Sequence, residues 1–230
     1  MTNFFSLRSG RVAVLGWALA AALAAALAGR EALAEYQSEL FERLKPVYAD
    51  AFDRPAINTE FWEVRQSTTW AVRDGVLAGG PSSKEFQEKK KASGDPTHAG
   101  LKPVIWLKQV PEHFVCTFRI RYSGSGYEKG VPTLDIGHHI HTLRFGEKAT
   151  TLGIRKNTET LSVEKPLFTI NAWHDVAIEL KKGKLVLVID GVRHGFESAS
   201  IDMTGQHQID FKGLEGGGCE IDDVRLWEGL

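Results

Sequence analysis

The stretch Phe168–Gly191, FTINAWHDVAIELKKGKLVLVIDG, restricts the fold more than any other part of the chain. Val176, Ile178 and Leu180 alternate with Asp175, Ala177 and Glu179. That period of two buries one face of a strand and wets the other. Lys181-Lys182-Gly183-Lys184 supplies a turn in which Gly183 can take positive φ at little cost. Leu185–Ile189 is a continuous β-branched and leucine run, as in a central strand covered on both faces. Asp190-Gly191 opens a further turn. A chain built on such a hairpin is antiparallel β.

The flanking sequence repeats the pattern. Phe52–Pro55 reads as a short strand and turn, followed by Phe61–Arg65. Trp70–Gly80 reads as a hairpin around Asp74-Gly75. Lys102–Val110 is a strand, and His113–Tyr122 is the cleanest one: Phe114, Cys116, Phe118 and Ile120 face one way, Val115, Thr117, Arg119 and Arg121 the other. Thr133–Phe145 is one long strand or two. Thr151–Arg155, Gly195–Ser198, Gln208–Lys212 and Cys219–Trp227 complete the series. Ser82–Gly94 is helix-like, with Phe86 nearly alone among charges, as in a solvated insertion. Glu35–Leu44 also reads as a short helix, from Tyr36, Leu40 and Leu44 at four-residue spacing, ended at Pro46. Short strands with regular turns and little helix predict an all-β, two-sheet antiparallel jelly-roll-like sandwich over residues 47–230, preceded by a helix over 35–46.

Residues 1–34 read as a signal peptide. Arg8 and Arg11 form its basic start, Val12–Ala28 its apolar run, and Ala32-Leu33-Ala34 its cleavage motif, with the cut before Glu35. The other reading is an uncleaved anchor, for which the run is slightly short. Cleavage predicts an exported protein, periplasmic or extracellular, with no remaining membrane attachment. The chain carries a net charge of −1, and the leader is itself basic, which leaves the remainder slightly acidic and excludes nucleic acid as an expected partner. Export permits a disulfide. Cys116 and Cys219, the two cysteines, either pair, closing a loop worth about 4–5 kcal/mol in the chain-entropy model, or stay as buried free thiols.

The order of these pieces resembles the concanavalin A-like lectin/glucanase sandwich and, within it, the 3-keto-disaccharide hydrolase family. WAVRDGVLAG (Trp70–Gly79) resembles that family's W-x-V-x-D-G-x-L-x-G hairpin, HFVCTFRI (His113–Ile120) its D-F-x-L-x-F-x-F strand, AWHDVAIELKKGKLVLVIDG (Ala172–Gly191) its long hairpin and EIDDVRLW (Glu220–Trp227) its closing strand. Turn glycines and core aromatics carry the likeness. Two features depart from it. Ile209–Gly216 (IDFKGLEG) holds no histidine where the family often has one, and the loop after the Phe-rich strand is shortened to Ser123–Lys129. The Glu-x-Asp-x-x-Glu signature of glucanases in this sandwich is absent; Glu220, Asp222 and Asp223 come nearest to it. Retaining glycoside hydrolysis needs two carboxyl groups about 5–5.5 Å apart.

The densest chemistry is Asp135-Ile136-Gly137-His138-His139-Ile140-His141. On a strand, His139 and His141 share a face and His138 takes the other. His139 and His141 are thus candidates as catalytic bases, or as ligands of a divalent transition metal completed by His98, His207 or Asp210. Because Leu143 and Phe145 share their parity, an unbroken strand would instead put both in the core. A second set, His98, Lys102, Trp106, Arg119, Arg121, Arg144 and Lys212, is basic and aromatic, suited to a glycan or modified sugar and, being cationic, to a sulfated or uronic one. With Asp135, His138 and Asp210 it completes the candidate binding residues. Three functions remain open: an exported carbohydrate-binding protein, an enzyme cleaving 3-keto-glycosides with a histidine or carboxylate base, and a non-catalytic interaction protein of the envelope.

Overall fold

The central hairpin forms as its pattern demands. Strands β11 (His174–Lys181) and β12 (Lys184–Ile189) pair with Val176 opposite Ile189, Ile178 opposite Leu187 and Leu180 opposite Leu185. Gly183 closes the turn at φ +86°. The two Asp-Gly turns, Asp74-Gly75 and Asp190-Gly191, each have two positive φ angles, the geometry of the tight hairpin turn that such dipeptides favour. The computed structural model describes residues 36–230 apart from 129, 156, 157 and 204. The expected signal peptide lies outside the described residues, as does Glu35. No helix among the described residues is long and apolar enough to cross a membrane.

Among the described residues, fifteen strands form two antiparallel sheets. The back sheet runs β13 (Val192–Glu197), β12, β11, β6 (Phe114–Ser123), β15 (Gly218–Gly229), β4 (Val76–Gly80), β3 (Thr69–Arg73), with β1 (Leu44–Asp50) also paired to β15. The front sheet runs β10 (Glu159–Val163), β9 (Thr150–Ile154), β8 (His141–Phe145), β7 (Thr133–Ile136), β14 (Gln208–Lys212), β5 (Val104–Lys108), β2 (Trp62–Val64). The core lies between them. Phe118 of the back sheet meets Phe211 of the front edge to face at 5.1 Å, and Leu107, Leu134, Leu143 and Ile178 are fully buried around them. The solvated helix forms as α1 (Lys84–Ala92), capped by Ser83, whose hydroxyl accepts the Phe86 N–H, and it buries no residue.

The structure corrects one expectation and decides between the alternatives left open in two others. Residues 36–43 form no helix, and Leu44 starts β1, so the sheet begins ahead of residue 47. The backbone N–H groups of Glu39 and Leu40 are taken by the carboxylate of Glu179, at 3.0 and 2.9 Å, rather than by a helical ladder. That strap also explains why Ala177 and Glu179, on the face expected to be wet, are buried. Secondly, Cys116 and Cys219 are free and buried. Cys116 lies opposite Leu226 and Cys219 opposite Tyr122, which sets them roughly 20 Å apart along the sheet, far beyond the reach of a disulfide. Burial pushes the pKa of both thiols up. Thirdly, Thr133–Phe145 is two strands joined by the tight turn 137–140, in which Gly137 and His139 take φ of +63° and +62°.

Candidate functional site

Because Ile105, Leu107, Leu134, Ile136, Leu143, Ile209 and Phe211 point into the core, their neighbours point outward from the front sheet. The register then aligns them. Trp106 lies opposite Asp210, Asp210 opposite Asp135, and Asp135 opposite Thr142. The next row sets Val104, Lys212, Thr133 and Arg144 side by side. Two aspartates from different strands are therefore neighbours on one face, although both are buried. The ammonium of Lys212 joins them: it forms an ion pair with Asp135 Oδ2 and lies 3.5 Å from Asp210 Oδ2.

The tight turn swings two imidazoles over this pair. His138 Nδ1 bonds Asp210 Oδ2 at 2.8 Å, and His139 Nδ1 lies 3.2 Å from Asp135 Oδ2. Among the described residues, Nε2 of His138 has no hydrogen-bond partner. An aspartate on Nδ1 fixes the proton there and leaves the Nε2 lone pair available. Burial of Asp135 would raise its pKa, but Lys212, with Thr142 and His139, holds it below the usual carboxylate value. The pKa of His139 is lowered, first by desolvation and then by the charge of Lys212.

Above the aspartates is a cleft of about 270 Å³ lined by His138, His139, Trp106, Lys102, Lys212 and Arg65, among others. The Arg65 guanidinium stacks 3.8 Å over the Trp106 ring, and His138 approaches the same ring at 5.0 Å. The Trp106 Nε1–H is buried with no acceptor. His98, on the 3₁₀ turn Pro96–His98, lines the cleft too, with its ring bonded to Asp95 at 2.6 Å.

Of the residues expected from the sequence, His98, Lys102, Trp106, Asp135, His138, His139, Asp210 and Lys212 thus come together here. Arg144 shares the outward face with them. His141 does not. Its strand restarts after the turn with His141 on the core side, fully buried, its Nε2 against the main chain of Asp202. Burial, with Arg155 nearby, lowers its pKa to about 4. It therefore does not line the cleft beside His139, as the expected base or metal pair requires. The three donors that do cluster, within 4.8 Å of one another, are Asp135, His138 and His139. The ammonium of Lys212 competes with any metal for that carboxylate. His207 is bonded to the Val110 carbonyl.

Arg119 and Arg121 are also excluded from the cleft. They lie on the outer face of the back sheet, beside the Trp173 ring at 5.2 Å. Arg119 faces Asp175 and Asp222 at 3.3 and 3.6 Å, and Arg121 pairs with Glu220. Glu220 and Asp222 of the closing strand are thereby paired with arginines rather than poised as a catalytic pair. Arg65 is a lining residue that the sequence reading passed over. The signal was present: Arg65 shares the parity of Glu63, opposite to that of the core residue Trp62.

No protein-family model matches the sequence, and no curated protein matches it. Solved structures do. A non-specific endo-β-1,3(4)-glucanase from family GH16 superposes with TM-score 0.57 at 12% identity, over 82% of this chain and 92% of that one. A GlcNAcα1-4Gal-releasing endo-β-galactosidase from Clostridium perfringens gives 0.58 at 11%, over 85% of this chain and 66% of its own. An endo-β-1,3-glucanase from Pyrococcus furiosus gives 0.52 at 14%, over 81% and 95%. The protein therefore has the jelly-roll sandwich fold of these glucanases, at identities that speak for fold alone.

Proposed function

We propose that this is an exported carbohydrate-binding protein that receives a glycan in the front-sheet cleft. The observation that carries the reading is the convergence of Trp106, Lys102, Lys212 and the two Asp-backed histidines on one open face. Glycan sites combine an aromatic wall with a few fixed polar groups. The leader supports export, and the fold shared with glycan-acting enzymes supports the ligand class. Calorimetric titration with a panel of neutral and acidic oligosaccharides tests it. Saturable binding that Trp106→Ala abolishes is expected; a folded protein that binds no member of the panel would overturn it.

The free Nε2 of His138 favours a second reading: an enzyme that cleaves 3-keto-glycosides. His138 would take the proton from the carbon between the ketone and the anomeric centre. That electron pair would become a carbon–carbon double bond as the anomeric carbon–oxygen bond breaks. The departing oxygen would take a proton back from the imidazole and leave as an alcohol. Lys212 would place a positive charge near the developing enolate. Release of the aglycone from a 3-keto-glycoside, lost in His138→Ala and unaffected by His141→Gln, is the expected result. Equal turnover in the wild-type and His138→Ala proteins would exclude His138 as the base.

A further inference from the structure

One cation of the cleft wall, Lys102, has no carboxylate of its own among the described residues. Asp135 and Asp210 are already engaged by Lys212, His138 and His139. Arg65 is paired with Glu63. Among the described residues Lys102 makes no ion pair, yet it is half-buried and its charged neighbours include Lys212 and Arg144. An ammonium drawn out of water without a counter-charge is costly. Burial, then Lys212, lowers its pKa accordingly, while Asp135 and Glu215 act in the opposite sense from beyond ion-pair distance.

A second observation points the same way. The buried Nε1–H of Trp106 has no acceptor. Lys102 and Trp106 are thus two cleft-lining donors without a partner, and the free Nε2 of His138 is an acceptor on the same wall. A second unpartnered acceptor, Asp135 Oδ1, belongs to a buried residue beneath the lining. A ligand group that satisfies Lys102 and the Trp106 N–H has to bring oxygens and negative charge.

We infer that the front-sheet cleft is an oxyanion site, and that the sugar it takes carries a carboxylate or sulfate group seated on Lys102. This rests on the glycan reading above and narrows it to acidic saccharides. A uronate and a sulfate ester share the chemistry that Lys102 recognises; they differ in charge distribution and geometry, so each is given its own arm below.

The test is calorimetric titration of the purified protein with three sets of oligosaccharides of equal length: neutral glucans, oligouronates and sulfated galactans. Inorganic sulfate and free glucuronate are run beside them. The expected result is at least about tenfold tighter binding of one acidic set over the neutral set, weakening as salt is raised. Lys102→Met should erase that preference, Lys102→Arg should retain most of it, and Trp106→Phe, which removes the N–H donor together with part of the aromatic face, should weaken binding by roughly three- to tenfold. Equal affinity for neutral and acidic sets, unchanged in Lys102→Met, would overturn the oxyanion assignment and leave the glycan reading standing. Inorganic sulfate bound through Lys102 while no saccharide binds would do the reverse. Binding of nothing by a protein with unchanged thermal unfolding would overturn both.

Discussion

Two histidines in this molecule make the same bond and come to opposite ends. His138 Nδ1 meets Asp210 Oδ2 at 2.8 Å, and His174 Nδ1 meets Asp190 Oδ2 at 2.7 Å. The difference is at the other nitrogen. His174 is buried, its ring is packed 4.4 Å from Phe168, and its Nε2 accepts the Thr169 N–H at 3.0 Å. His138 turns Nε2 to the cleft, and its aspartate is the buried partner while the imidazole is half-exposed. In the His174 pair the burial is reversed. The same histidine–aspartate bond thus leaves both ring nitrogens occupied in one place and one nitrogen open to a cleft in the other. His139 and Asp135 repeat the open arrangement at 3.2 Å.

The largest expected effect separates the two roles directly. If the 3-keto-glycoside reading holds, His138→Ala lowers kcat by about 10²- to 10⁴-fold and barely moves the unfolding midpoint. A loss of stability with unchanged turnover would put His138 in the structural class with His174. Next in size is the acid response of the other buried imidazole, His141. Its folded pKa of about 4 lies below the unfolded value of about 6.5. Above pH 6.5 both states are neutral and stability is complete. As pH falls from 6.5 towards 4, the unfolded chain binds a proton that the native state refuses, and stability falls. The full loss is about 3 kcal/mol. Urea denaturation at neutral and acid pH should show that slope, and His141→Gln should flatten it. His174→Ala follows: losing the Asp190 and Thr169 bonds should cost about 2 kcal/mol in chemical denaturation while ligand binding survives.

These contrasts also mark what could be read from the sequence. The hairpin around Gly183, both Asp-Gly turns and the inward face of β6 follow from a period of two and from turn chemistry, which act locally. Eight residues in or beneath the cleft are legible from their chemistry alone, as a dense Asp/His cluster and a basic and aromatic set. What was not legible was parity across the 137–140 turn. Two left-handed residues there break the alternation, so His139 joins His138 at the cleft and His141 faces the core. Pairing of Asp135 with Asp210 needed the β7–β14 register, which joins positions far apart in the chain. Arg119 and Arg121 looked like their cationic counterparts because charge alone does not say which sheet a strand joins. The false helix at 35–44 came from a fourfold spacing that the Glu179 carboxylate overrides.

The smallest expected effect tests whether the open arrangement is held at a cost. Both settings use a left-handed residue, but they place it differently. In the sealed pair it is Asp190, φ +50°, a residue type that tolerates this region. In the open cluster it is His139 itself, φ +62°. A side chain with Cβ is strained there by about 1–2 kcal/mol, offset in a glycine variant by the greater entropy glycine loses on folding. His139→Gly should therefore leave stability unchanged or raise it by up to about 1 kcal/mol, even though it deletes the contact with Asp135. Ligand affinity or turnover should fall in the same variant. A clear loss of stability would mean that the His139–Asp135 contact holds the turn together, which would place His139 with His174 rather than with His138. Unchanged stability with impaired binding would mean that the turn spends conformational strain to hold an imidazole over the cleft.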